Sequence, residues 1–327
     1  MRMAQDGNVG TGGTLDRRTM LTVGGMALLA ACTGKAGKRP DIDFIIPYAP
    51  GGGFDSYARI VLPPLQKALG VQVHPDNVDG AGGARAANML YRAKADGSAI
   101  SIVNIPGAII LQQQGGLAFD LARLTWLANM GRDAYGVVVA ANSPIRTIDD
   151  LRALGKRRTV QFPCVGPAGM AYSATKIGMH LLGVPVNLIS GYKGTNDYIV
   201  ATMRGDGDAA IASLTAIEPF RQAGTVRLLC TFEKTSSIPG VPDATLLGQP
   251  DLADIVQLRS IAAPPGLPDD LRQSYSKALV TAMRDPSVTA WAKKKHASLA
   301  PDDSDTTIQL IRQQSQFVTR WKGLIAS

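Results

Sequence analysis

One order of features occurs twice in this chain, about 111 residues apart, and it constrains the fold more than any single motif does. In the first copy the apolar run Ile42 to Ile46 leads into Pro50-Gly51-Gly52-Gly53-Phe54-Asp55, which opens a helical stretch to Leu69. The strand Val71 to His74 follows, then Gly80-Ala81-Gly82-Gly83, a helix to Lys94, the turn Asp96-Gly97 and the strand Ala99 to Val103. In the second copy the strand Arg158 to Phe162 precedes Cys164-Val165-Gly166-Pro167-Ala168-Gly169 and a helix from about Met170 to Leu182. The strand Val184 to Asn187 follows, then Gly191-Tyr192-Lys193-Gly194-Thr195, a helix to Met203, Asp206-Gly207 and the strand Ala209 to Ala212. Leu69-Gly70-Val71 and Leu182-Gly183-Val184 are 113 positions apart, Gly80 and Gly191 are 111 apart, and the two Asp-Gly turns are 110 apart. Such register predicts two structurally similar βαβ lobes in an α/β chain.

The repeat carries a chemical consequence. Strands that end in glycine loops before helices place unpaired N–H groups, and the positive ends of helix dipoles, beyond the carboxyl edge of a sheet. Two such lobes facing each other make a cleft that holds an anion through main chain. Tyr135 to Ala141 and Ile255 to Ala263 are apolar runs suited to crossing between lobes, which makes a hinge. The final helix repeats Ile308, Ile311, Val318, Trp321 and Ile325 at helical spacing, a core pattern, and is expected to pack on the first lobe. Pro63-Pro64 is expected to kink or restart the first helix. Cys164 and Cys230 lie in apolar stretches and read as buried small residues rather than a disulfide.

The N-terminus reads as an address. Arg17-Arg18 precedes the apolar stretch Met20 to Ala31, which ends in Leu29-Ala30-Ala31-Cys32, a small-small-Cys pattern similar to a lipoprotein cleavage box. The expected layout is a signal over 1–32 with Cys32 acylated, a tether over 33–40, a first lobe from 41–140 with 256–327, and a second lobe from 141–255. An exported chain held at the outer face of a membrane has little occasion to meet nucleic acid. Its net charge of +8 is spread over short basic runs without interleaved aromatics.

Pro47-Tyr48-Ala49-Pro50-Gly51-Gly52-Gly53-Phe54-Asp55 resembles the opening motif of the tripartite tricarboxylate transporter receptor family, the Bug-type receptors. So do Asn77 to Gly83, Asp96-Gly97, Tyr192-Lys193-Gly194 and the Pro264 to Pro268 segment. The resemblance implies a two-lobed, type II flytrap periplasmic-binding-protein fold with two hinge-crossing strands. It implies a monomeric receptor that closes on a small organic carboxylate and docks on a membrane permease with one large and one small subunit. No cofactor is implied. By position, the first-lobe contacts implied are Tyr48, Gly51, Gly52, Gly53, Phe54 and Asp55, with Ala81, Gly82, Gly83 and Asn104. Second-lobe contacts implied are Gly166, Pro167, Ala168, Gly169 and Met170, with Tyr192, Lys193, Gly194, Thr195 and Ser213. Asp55 is expected to cap its helix, since like charges repel an anionic ligand. Tyr192 either walls the pocket or packs in the core, and Lys193 either meets the ligand or faces solvent. Phe54 and Pro167 stand where small or hydroxyl residues are common in the family, which points to an acid with an apolar or aromatic body.

An enzyme is the main alternative. His74, His180 and His296 show no metal-site spacing, and no Gly-x-Ser-x-Gly elbow or phosphate-binding P-loop occurs. Gly80-Ala81-Gly82-Gly83-Ala84-Arg85 starts like a dinucleotide fingerprint, but Arg85 stands where Gly or Ala is needed. A receptor that reports to a membrane signalling protein shares the binding chemistry, and only its partner would differ.

Overall fold

The computed structural model describes residues 40–166 and 170–326, and from Pro40 onward the described chain forms one compact unit. The signal, the lipidation box with Cys32, and the contacts Pro167, Ala168 and Gly169 lie outside the described residues.

The first lobe begins with β1 (Ile42–Ile46), α1 (Gly53–Leu69), β2 (Val73–Asn77), α2 (Ala84–Arg92), β3 (Ala99–Ile105) and α3 (Gly107–Gln113). Strand β1 pairs in parallel with β2 on one side and β3 on the other. Helix α1 forms because Phe54, Tyr57, Ala58, Val61, Leu62 and Leu65 make one buried stripe at helical spacing. It ends at Gly70, whose φ of 71° lets its N–H return to Gln66 O at 2.8 Å. The helix runs unbroken through Pro63 and Pro64, contrary to the expected restart. Pro63 is exposed and Pro64 only partly buried, so water can satisfy the carbonyls that lose an N–H partner, while Leu62 and Leu65 hold the buried side.

The long strand β4 (Thr125–Ala140) leaves this lobe, followed by α4 (Ile148–Gly155), β5 (Val160–Pro163), α5 (Met170–Leu181), β6 (Val186–Ile189), α6 (Thr195–Arg204), β7 (Ala210–Ser213), α7 (Leu214–Gln222) and β8 (Val226–Thr231). Strands β5 and β6 pair in parallel. Asp208 and Ala209, just ahead of β7, donate their N–H groups to Gln161 O in β5 at 2.9 and 3.4 Å. The two-stranded β6-β5 pair is thereby tied beside β7, an arrangement similar to β2-β1-β3. In both copies the middle strand starts two residues later than the sequence reading placed it, since Gly70 and Gly183 (φ 71° and 69°) use those residues to turn out of the helix.

The chain returns through β9 (Val256–Ala263) and finishes with α8 (Asp269–Met283), α9 (Pro286–Lys295), α10 (Ser304–Arg320) and α11 (Lys322–Ala326). Strand β9 pairs antiparallel with β3, and β4 from Tyr135 pairs antiparallel with β7. The two halves thus match strand for strand. From Thr125 to Ala134, β4 pairs with β9; from Tyr135 it pairs with β7, and from Gly136 also with β8. Strand β4 thus changes partners at Ala134–Tyr135, inside one continuous strand.

The tail does not stay on the first lobe. Gln113 Nε2 in α3 donates to Thr319 Oγ1 in α10 at 3.1 Å, as expected of a first-lobe tail. Arg320 meets Asp251 at 3.0 Å on the loop leading to β9, however, and Trp321 packs edge-on against His180 of α5 at 5.5 Å. Ile325 is buried in the same core as Ile177 and Met179 of that helix. The correction has a simple cause. The apolar stripe was read correctly, but its length carries it past the first lobe onto the back of the second.

Candidate functional site

A cavity of about 560 Å³ opens between the lobes. The first lobe contributes Tyr48, Gly82 and Asn104, the hinge strands contribute Tyr135 and Gln257, and the second lobe contributes Val165, Gly166, Met170, Ala171, Lys193, Thr195, Tyr198 and Ser213. Eight expected contacts are thereby brought to one cavity: Tyr48, Gly82, Asn104, Gly166, Met170, Lys193, Thr195 and Ser213.

The second-lobe wall is built from helix starts. Helix α6 begins after Gly194 and α7 after Ser213, and neither start has a side-chain cap. Met170 opens α5 at the same wall. The leading N–H groups of α6 and α7 are left for solvent or an anion. Lys193, exposed beside them, makes no ion pair among the described residues. Tyr192 is half-buried and packs against the second-lobe core, without lining the cavity.

The first-lobe wall is arranged around Tyr48. Asn104 Nδ2 donates to its hydroxyl oxygen at 2.9 Å, and that hydroxyl faces Gly82 O at 3.5 Å. Burial, its largest influence, raises the phenol above its ordinary pKa; Asn104 lowers it and Asp79 raises it. The turn that brings Gly82 there needs unusual backbone. Ala81 sits at φ 48°, and Gly83 at φ 98° leaves room for Tyr48, whose hydroxyl would lie 3.7 Å from a Cβ at that position.

The remaining expected contacts take other places. Gly51, Gly52 and Gly53 form an exposed loop beside Tyr48, outside the cavity wall. Ala81, Gly83 and Gly194 adjoin wall residues without lining the cavity. Phe54 is 7% exposed and lies in the lobe core against the Tyr48 ring, with centroids 5.0 Å apart. It therefore shapes the cleft only through Tyr48. Asp55 is not the helix cap. It is the third residue of α1, and Gly52 occupies the cap position without a side-chain bond. Asp55 instead accepts from Gly51 N at 2.9 Å, Asn77 Nδ2 at 3.0 Å and Arg59 Nε at 2.8 Å. Burial works against its charge, but those donors together hold the carboxyl below its ordinary range. One amide of the glycine loop is thus already occupied.

Sequence reasoning missed the hinge floor. Arg259 and Asp133 are 6% and 1% exposed and form an ion pair at 2.8 Å. The guanidinium lies over the rings of Tyr57 and Phe54, at 4.2 and 5.2 Å from their centroids. Asp133 also accepts from Thr215 Oγ1 of α7, which ties the hinge to the second lobe. The signal available was a single Arg, two residues after Gln257, in a strand with no other charged residue. A second interlobe cavity, of about 440 Å³, lies beyond Thr215, but Arg221 and Arg132 beside it are already paired with Glu218 and Asp302. The cleft with open helix starts is the better anion site. Cys164 and Cys230 are buried and unpaired.

The architecture is that of a periplasmic-binding-protein-like receptor with two lobes of the type II kind. The sequence profile described as tripartite tricarboxylate transporter family receptor matches residues 57–327, and the chain belongs to that family. It is accordingly a solute-binding receptor rather than an enzyme. A relative from Cupriavidus necator, the "UPF0065 protein in gbd 5'region", is 27% identical over 93% of this chain and 94% of its own length. A TctC solute-binding protein from Polaromonas superposes with a TM-score of 0.74 at 20% identity, covering 88% of this chain and 98% of that one. MatC from Rhodopseudomonas palustris, solved with bound malate, gives a TM-score of 0.73 at 20% identity, covering 88% and 99%.

Proposed function

We propose that the protein is an exported, lipid-anchored receptor that closes its lobes on a small carboxylate and delivers it to a permease of one large and one small subunit. The carboxylate is held mainly by main-chain N–H groups at the helix starts, with Lys193 as the adjacent cation. The observation that carries this reading is the pair of uncapped helix starts, α6 and α7, on one cleft wall. The Gly52-Gly53 loop adds its amides when the lobes close. Tyr135, Val165, Met170, Ala171 and Tyr198 supply apolar surface, which suits an acid with an apolar body. That preference no longer rests on contact with Phe54. Acylation at Cys32 holds the receptor at the outer face of the membrane.

A thermal-shift screen tests the ligand class. Malate, adipate, benzoate and glutamate are each added at neutral pH, with matched amines as controls. A ligand that binds only the folded state raises the melting temperature by mass action. Acids should raise it and amines should not. A well-folded protein, refolded from denaturant, that shifts with none of the acids would sink the carboxylate reading. Cys32→Ala should release the protein from the membrane fraction, and its retention there would refute the acyl anchor.

A further inference from the structure

We infer that Arg259 and Gln257 fix the polarity of the Tyr48 hydroxyl, so that Tyr48 presents its proton to the ligand group that faces it. Tyr48 touches the ligand in this account; Gln257 and Arg259 are positioning residues. The inference rests on the carboxylate reading for the ligand's identity, whereas the polarity follows from the protein alone.

The series of hydrogen bonds begins at Arg259, whose side chain cannot accept one. A guanidinium has five N–H donors and no acceptor. Arg259 Nη2 lies 3.4 Å from Gln257 Oε1, a long contact, and because the guanidinium offers only donors it favours the amide oxygen on that side. Gln257 Nε2 is then turned toward Asn104, whose Oδ1 is 3.4 Å away and accepts. With its oxygen committed, Asn104 presents Nδ2 to Tyr48 at 2.9 Å. The phenol oxygen is thereby an acceptor on its inner side, and its proton must point elsewhere. The protein acceptor it meets is Gly82 O at 3.5 Å, near the limit of a useful hydrogen bond. A ligand carboxylate forms a shorter and stronger one. Burial keeps the phenol protonated at neutral pH.

The anchor is rigid. Arg259 is held by Asp133 at 2.8 Å and lies over the rings of Tyr57 and Phe54, with both charged side chains almost fully buried. Reversing the chain would require a donor to face a donor at Arg259. Tyr48, Asn104 and Gln257 all line the cleft, so the polarity is set at its surface. A ligand acceptor placed against Tyr48 meets its proton, whereas a ligand N–H there has to turn to Gly82 O instead. This end of the cleft therefore favours a carboxylate oxygen, or another acceptor, facing the Tyr48 hydroxyl.

Gln257→Glu is the test. A carboxylate beside Arg259 accepts from the arginine and from Asn104 Nδ2 alike, so Asn104 turns over and Tyr48 donates inward. Two readouts are used. In protein labelled with [13Cζ]tyrosine, the Tyr48 resonance is identified by its loss in Tyr48→Phe. In Gln257→Glu it should titrate at higher pH than in the parent, whatever ligand the protein takes. Malate and adipate binding is then measured by calorimetry in a double-mutant cycle. Gln257→Glu should weaken binding roughly ten- to a hundredfold in the parent, the scale of one hydrogen bond to a charged group. In the Tyr48→Phe background it should weaken binding only by its plain charge effect, a few-fold. An unmoved Tyr48 resonance or an additive cycle overturns the inference. If neither acid binds the parent protein, the carboxylate reading fails while the resonance still decides the polarity. Asn104→Asp reverses Tyr48 in the same way and replaces Gln257→Glu should that variant not fold.

Discussion

Helix starts at the cleft differ from those at the back of the molecule. Helices α4, α9 and α10 each begin under a side-chain cap: Thr147 in a full capping box, Asp285, and Asp303 accepting from Thr306 N at 2.9 Å. Helices α6 and α7, at the cleft, begin after Gly194 and Ser213 with no such bond, and α1, beside it, begins after Gly52. Helix α8 is uncapped as well, behind Pro268. A cap contributes about 1 kcal/mol to stability by satisfying a leading N–H. The cleft helices forgo that stabilisation, and the same N–H groups stay open to a ligand. The difference teaches that the same local feature can be closed by a side chain or left open, and α8 shows that an open start acquires a use only where, as for α6 and α7, it also faces a cleft.

The sharpest way to break the comparison is to give a cleft helix the cap of a back helix. Gly194 has φ −171° and open space where a Cβ would go, so aspartate fits there without strain. Gly194→Asp should raise thermal stability by roughly a few tenths of a kcal/mol, because glycine is already a tolerated cap, and weaken carboxylate binding roughly a hundredfold, since like charges and occupied donors both oppose the ligand. Unchanged affinity by calorimetry would remove α6 from the site.

The next effect concerns the glycine loop. Asp55→Asn should cost about 2 kcal/mol at neutral pH, measured by urea unfolding, because three donors lose a charged acceptor. The folded pKa of Asp55 is depressed, so its contribution is complete above the unfolded carboxyl value and disappears as pH falls through the lower folded value. The parent should therefore lose stability below about pH 4 more steeply than the asparagine variant. Parallel pH profiles would mean that the ties to Gly51 and Asn77 contribute little.

Asp303→Ala makes the reverse comparison. Removing a back cap should cost about 1 kcal/mol and leave ligand affinity unchanged, and a coupled loss of binding would contradict the division. The smallest effect belongs to Lys193→Met. An exposed lysine beside the cleft should contribute a few-fold in affinity, fading as salt is added. A salt-independent loss would point to direct contact in the closed form.

Much of this was legible in the chain. The paired βαβ order, the glycine loops and the return run through Arg259 all follow from spacing of apolar residues and glycines, which local sterics alone constrain. Even the two misplaced strand starts are shared by both copies, as expected of a real repeat. The hinge network was not legible, although Arg259 is conspicuous in its strand. Its partners Asp133, Asn104 and Thr215 come from separate elements, and no local pattern brings them together.

The sequence by itself determined the two-fold architecture, the helix starts that carry N–H groups toward a cleft, and the family. Period and turn chemistry act over a few residues, and those are printed in the chain. Only the tertiary structure decided that Phe54 lies buried against the Tyr48 ring, that Asp55 occupies the Gly51 amide, and that the tail straps both lobes. It also decided which way the Tyr48 proton points. Each of these depends on which atoms meet across the fold, and a buried donor or acceptor takes its partner from whatever the packing places within about 3 Å.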